Sequence, residues 1–203
     1  MRLRLDLAYD GTGFRGWARQ PELRTVQGTL ETAIARVLGG QPQLVVAGRT
    51  DAGVHASGQV AHLDLTDEQR ARLAKGRSPQ PEALAARITG VLGQYPDVVV
   101  HRSAEAAPGF DARFSAVWRR YEYRLADLHT PYDPLDRVRT TRVKAHLDVE
   151  AMDAAARSLI GLHDLAAYCK WRERATTLRS LLEFGWRRDA HGILVANVKA
   201  AAF

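Results

Sequence analysis

The sequence predicts an α+β protein of two related halves, each an antiparallel sheet covered by helices on one face. Three observations lead there. The order strand, basic loop, helix, strand, strand runs from Arg2 to Leu65 and again from Tyr121 to Ala200. Period-two alternation and helical spacing of apolar residues are both present and fall in separate segments. The 203 residues suffice for two small cores, placed at 1–106 and 107–203.

Taken in order, Met1 to Tyr9 alternates Leu3, Leu5 and Leu7 with Arg2, Arg4 and Asp6, which is a half-buried strand. A loop to Pro21 follows, with glycines at 11, 13 and 16, the aromatics Phe14 and Trp17, and Arg15 and Arg19. Arginine in such a loop suits phosphate, while the aromatics are better explained as anchors to the core. Thr25 caps a helix with Val26, Leu30, Ala33, Ile34, Val37 and Leu38 on one side, stopped by Gly39-Gly40 and Pro42. Leu44 to Ala47 and Gln59 to Leu65 are strands enclosing a loop. Thr66-Asp67-Glu68-Gln69 has the form of a capping box, a second helix carries Leu84, Ile88, Val91 and Leu92, and Val98 to Val100 is a strand.

In the second half, Trp118 to Arg124 alternates as a strand that puts Arg119, Tyr121 and Tyr123 on one face and Arg120, Glu122 and Arg124 on the other. His129 to Lys144 is a proline-marked basic loop. Asp148 caps a helix with Met152, Ala155, Ala156, Leu159 and Ile160 inside, ended by Gly161. Lys170 to Arg174 is a cationic, aromatic loop, and Thr177 to Trp186 and Ile193 to Ala200 form a hairpin.

Composition narrows the partner. A net charge of +6 and a pI near 9.8 favour a polyanion, RNA first among them. The basic set is nearly all arginine, which grips phosphate bidentately. The single Cys169 forms no internal disulfide, and no Cys or His pair has metal-ligand spacing, so a reducing compartment and no metal are expected. No long apolar run or signal-like start is present, and a cytoplasmic location is expected.

Chemistry concentrates between Ala47 and His62. Glycines at 48, 53 and 58 permit tight folding, and Arg49 precedes Asp51 by two residues among the hydroxyls of Thr50 and Ser57. An ionised Asp can serve as a nucleophile. The same spacing is also that of a turn with an exposed Arg and Asp pair, worth about 0–1 kcal/mol, and spacing alone leaves both readings open.

Gly48-Arg49-Thr50-Asp51-Ala52-Gly53-Val54-His55 followed by Gly58-Gln59-Val60 resembles the active-site motif of the tRNA pseudouridine synthase A family. Tyr9-Asp10-Gly11 with Phe14-x-Gly16-Trp17, Phe110-x-Ala112-Arg113-Phe114-Ser115-Ala116 and Arg119-Arg120-Tyr121-x-Tyr123 are similar to further family segments. The resemblance implies the pseudouridine synthase fold, a cofactor-free isomerisation of uridine at positions 38 to 40 of the tRNA anticodon arm, and a homodimer. It makes Asp51 the catalytic residue, has Arg49 displace the target base and hold RNA, and has Tyr121 stack on that base. Arg15, Arg19, Arg119, Arg120 and Arg172 are further RNA-binding candidates.

The family continues with a Met-Val-Arg helix, whose arginine pairs with the catalytic Asp, and a last strand. Neither is matched here, so the C-terminal half is expected to lack them. The rival reading is a non-catalytic RNA-binding fragment of such an enzyme. Glycosidic hydrolysis is disfavoured because no second carboxylate sits in the motif.

Overall fold

A computed structural model describes residues 1–75, 79–94, 97–168 and 176–201. It separates into two compact units, Met1–Ala116 and Val117–Phe203.

In the first unit, β1 (Arg2–Tyr9) buries Leu3, Leu5 and Leu7 completely, as its alternation requires. Burial of each such side chain contributes about 1.5–3 kcal/mol. The loop after β1 leads to α1 (Val26–Leu38), whose N-cap Thr25 accepts from the Gly28 N–H. Then come β2 (Leu44–Val46), β3 (Ala56–Asp64), α2 (Asp67–Ala74), α3 (Ala83–Val91) and β4 (Val98–Glu105). Thr66 and Gln69 form the expected reciprocal capping box of α2. The sheet order is β2-β3-β1-β4, antiparallel throughout. Leu3, Leu5 and Leu7 share one core with Leu30, Ile34 and Leu38 of α1 and Leu84 and Ile88 of α3.

Residues 107–116, placed from sequence after the 106/107 boundary, belong to this first unit. Arg2 donates to the Phe110 carbonyl at 2.6 Å, and the Ala112 N–H donates to His62 Nδ1 at 2.9 Å. His62 is 2 % exposed and meets the Phe110 ring edge-on. The segment therefore covers part of the sheet surface that bears Arg2, Arg4 and His62, instead of leading straight into the next strand.

The second unit comprises β5 (Arg119–Ala126), β6 (Thr141–Arg142), α4 (Val149–Ser158), β7 (Gly161–Asp164), β8 (Leu178–Arg188) and β9 (Leu194–Ala200). Its sheet order is β6-β5-β9-β8-β7. Among the described residues only β6 is parallel to its neighbour. Gly161, at φ +112°, ends the run from α4 and opens β7, a four-residue strand too short to show a period. Asp153 of α4 accepts the Trp186 N–H of β8 at 2.8 Å and the Arg157 guanidinium at 2.7 Å.

The repeated order read from sequence is a repeated topology. In the first unit β1 pairs antiparallel with β3, and β3 with β2; in the second β5 pairs antiparallel with β9, and β9 with β8. The loops after β1 and β5 consequently lie beside the β2–β3 loop and the β8–β9 turn of their own units. In the second unit the join is ionic. Arg188 donates to both oxygens of buried Asp127 at 3.0 and 2.8 Å, and to the Gly192 carbonyl at 2.7 Å.

Arg188 holds the Asp127 carboxyl far below its ordinary value of 3.8. Because the folded value is the lower one, the stabilisation is complete above the unfolded value and is lost as pH falls through the folded one. Asp127→Asn leaves Arg188 unpaired and should cost about 3 kcal/mol, the lower end for a pair whose arginine is partly exposed. Urea unfolding at neutral pH measures this, and the variant should lose part of the acid sensitivity below pH 4.

Burial lowers the His62 value from 6.5, and adding a proton to Nδ1 would also break its bond from Ala112. The folded state thus binds fewer protons than the unfolded chain, so stability should fall as pH drops below 6.5. In His62→Gln that component of the pH–stability curve should flatten.

Candidate active-site loop

Asp51 lies between β2 and β3 on a loop whose backbone is fixed from two sides. Along the strands, the Ala47 N–H donates to the Val60 carbonyl at 2.9 Å, and Gln59 Nε2 donates to the Gly48 carbonyl at 2.8 Å. From the other side comes the loop after β1. The Trp17 N–H donates to the Thr50 carbonyl at 2.9 Å, the Gly53 N–H to the Phe14 carbonyl at 3.3 Å, and the Gly11 N–H to His55 Nδ1 at 3.1 Å. Bonds therefore reach Thr50 on one side of Asp51 and Gly53 on the other.

A side-chain network reinforces the clasp. Gln59 Nε2 also donates to the Tyr9 hydroxyl at 3.2 Å, which leaves the phenol proton for Thr50 Oγ1 at 2.8 Å. Tyr9 is 5 % exposed and packs against Phe14 and Trp17, themselves 2 % and 1 % exposed. The reading of Phe14 and Trp17 as core anchors thus holds, and what they anchor is the loop that grips the Asp51 segment. Arg24 lies 4.2 Å from the Phe14 ring centroid and makes a bidentate pair with Asp97 at 2.7 and 2.8 Å.

Two glycines are dictated by this approach. A side chain at Gly11 would overlap the Val54 carbonyl. At Gly16, φ is +89° and an added Cβ would stand 3.0 Å from the Thr50 carbonyl. Asp10, at the end of β1, is held below its ordinary value by the Thr12 hydroxyl and N–H, and its Oδ1 lies 3.0 Å from His55 Nδ1.

Asp51 and Arg49 are both exposed, and neither side chain has a hydrogen-bond or ion-pair partner among the described residues. The Arg and Asp pair that the spacing allowed is therefore not formed here: the loop is held by its backbone, which leaves both side chains exposed. Of the other candidates in this unit, Arg15 is exposed, while Arg19 lies 3.5 Å from Glu31. Glu31 is buried and also accepts the Leu44 N–H at 3.0 Å, joining α1 to β2.

The second unit carries Tyr121 on β5, 39 % exposed and in register with Val198 of β9. Arg119 shares its face and donates to the Ala201 carbonyl at 3.3 Å. On the opposite face Arg120 lies 3.4 Å from Glu183, which also binds Lys199 at 2.8 Å, and both cations approach the Trp118 ring. Arg172 lies outside the described residues. Tyr9, Gln59, His55 and Gly11 were not singled out as site residues from sequence, since each also reads as strand or turn; three glycines in one short loop were the signal of a close backbone approach.

No protein-family model matches the chain. Curated relatives match it throughout. A tRNA pseudouridine synthase A of Leifsonia xyli subsp. xyli is 60 % identical over 100 % of this chain and 73 % of its own length. Those of Cutibacterium acnes and Frankia casuarinae are 50 % and 51 % identical, each over 100 % of this chain and 70 % of their own length.

Gly16→Ala should destabilise the first unit by about 1–3 kcal/mol through backbone strain and crowding at Thr50. Hydrogen exchange should speed up over residues 47–55 before it does in β1, whereas substitution of Gly58, where an added Cβ meets nothing, should leave the loop protected.

Proposed function

The chain belongs to the tRNA pseudouridine synthase A family, and on that premise we propose that it isomerises uridine to pseudouridine in tRNA, with Asp51 as the catalytic nucleophile. The observation that carries the reading is the disposition of Asp51. Its carboxylate faces solvent, while its backbone is pinned on both flanks by neighbouring loops. A group that must meet a substrate carbon needs this combination of access and fixed position.

The reaction breaks the bond from ribose to the pyrimidine nitrogen, turns the base, and rejoins it through carbon 5, whose hydrogen leaves as a proton while the freed nitrogen takes one up. Atoms and electrons balance within the nucleoside. Asp51 acts by attack on the sugar carbon, by attack on the ring, or by removing a sugar proton. All three need its anionic form and a base drawn out of its stack, at a cost of a few kcal/mol. Arg49 is assigned to displacing the base and holding RNA, Tyr121 to stacking on it, and Arg15, Arg19, Arg119, Arg120 and Arg172 to phosphate. The anticodon arm as target, action as a homodimer and a cytoplasmic location belong to the same proposal. Among the described residues no helix is long and apolar enough to cross a membrane.

With tRNA carrying tritium at carbon 5 of its uridines, the chain should release tritium to water, and Asp51→Asn should lower the rate by at least about 10³-fold while tRNA affinity stays within about threefold. Release that persists in the variant would refute the role of Asp51. Binding with no release from the unsubstituted chain would mark an RNA-binding module instead.

A further inference from the structure

The geometry points to a second RNA-contact site in the second unit, a pocket that takes one unstacked nucleotide and performs no chemistry on it. It occupies about 660 Å³ between the loop after β5 and the β8–β9 turn. That volume is in the range of small-ligand pockets, about 300–1,000 Å³. By topology this is the counterpart of the place where the first unit carries Asp51, since β5, β9 and β8 repeat the pairing of β1, β3 and β2. The turn itself, Asp189 to Ile193, is too short to carry a loop comparable to the one between β2 and β3, and space remains where the longer loop would lie.

The lining fits a nucleotide. Ala126 and Ile193, 7 % and 3 % exposed, give an apolar floor. Tyr132, 67 % exposed, forms an aromatic wall. The Arg142 guanidinium lies 5.5 Å from the Tyr132 ring centroid and donates twice to the Thr130 carbonyl, at 3.0 and 3.3 Å, so one ring face is backed by a fixed cation. With Tyr132 67 % exposed, its ring is accessible to a base, and a sandwich of guanidinium, phenol and base is a sequence-tolerant stack.

Arg137 is exposed at the rim and uses Nη1 on the Pro134 carbonyl at 2.9 Å, which leaves its other nitrogens for phosphate. The two acids that line the pocket are occupied within the loop. Asp133 accepts the Leu135 N–H at 2.7 Å, and Asp136 binds Arg139 at 2.8 Å. An apolar floor, one open aromatic face and a cationic rim match a nucleotide of single-stranded or looped RNA better than an apolar peptide.

The choice of RNA rests on the proposed function, and the test separates the two. The Asp51→Asn chain is irradiated with tRNA transcribed with 4-thiouridine, and the crosslinked peptides are mapped. Crosslinks should fall in residues 129–144 or 189–193. Tyr132→Ala should weaken tRNA binding about fivefold or more, with Tyr132→Phe close to the parent, as expected when one base loses its stacking partner. Arg137→Gln should reduce the salt dependence of binding.

Crosslinks absent from both segments, or Tyr132→Ala binding as tightly as the parent, would overturn the proposal. So would a change in sedimentation with unchanged tRNA affinity, which would make the pocket a protein interface. Tritium release without these crosslinks removes the second site and leaves the isomerase reading intact; crosslinks without release do the reverse.

Discussion

A reactive carboxylate on a loop is useful only if the loop does not have to be ordered again at each encounter, and ordering a residue's backbone costs about 1–2 kcal/mol. Here that order is supplied by a second loop. The chain leaving β1 passes so close to the Asp51 segment that no side chain fits at Gly11, and it fastens the segment at Thr50, Gly53 and His55. Phe14, Trp17 and Tyr9 root the fastening loop in the core beneath. The position of Asp51 therefore depends on packing several residues away, through backbone bonds that survive most side-chain changes.

The two units solve the same closure problem with different chemistry. Each must join the loop after its first strand to the connection between two later strands. The first does so with backbone hydrogen bonds and the neutral chain Gln59, Tyr9, Thr50; the second uses the buried Asp127–Arg188 pair. At the end of the first strand both place an aspartate that accepts from a nearby threonine hydroxyl, Asp10 from Thr12 and Asp127 from Thr130. The first join buries no charge, whereas the second buries Asp127 against Arg188 and so is costly to break at one partner alone.

Much of this was legible in the sequence because its signals are local. The alternation of Leu3, Leu5 and Leu7, the Thr25 cap and the box at Thr66 each depend on contacts within an element or on one buried face. The special character of the loop at Asp51 was legible from its residue types. What stayed hidden involves contacts between segments far apart in sequence. The attachment of residues 107–116 to the first unit rests on His62, which reads as an ordinary strand residue. Likewise β6 and β7 span two and four residues, shorter than any period that could announce them.

Charge shows the same divide between what composition states and what geometry decides. A chain with net charge +6 looks like a uniform attractor of phosphate, yet many of its arginines are committed internally. Arg2 serves Asp64, Arg24 serves Asp97, Arg120 serves Glu183 and Arg188 serves Asp127. An arginine already paired with a carboxylate must give up that partner, or share it, before it neutralises a phosphate, so its contribution to counterion release is reduced. Exposed cations that form no ion pair among the described residues, such as Arg15 and Arg49, carry no such cost. That Arg49 stands two residues from Asp51 on the clasped loop then has a physical sense. The cation proposed to hold RNA and the carboxylate proposed to react with it are fixed by the same few backbone bonds.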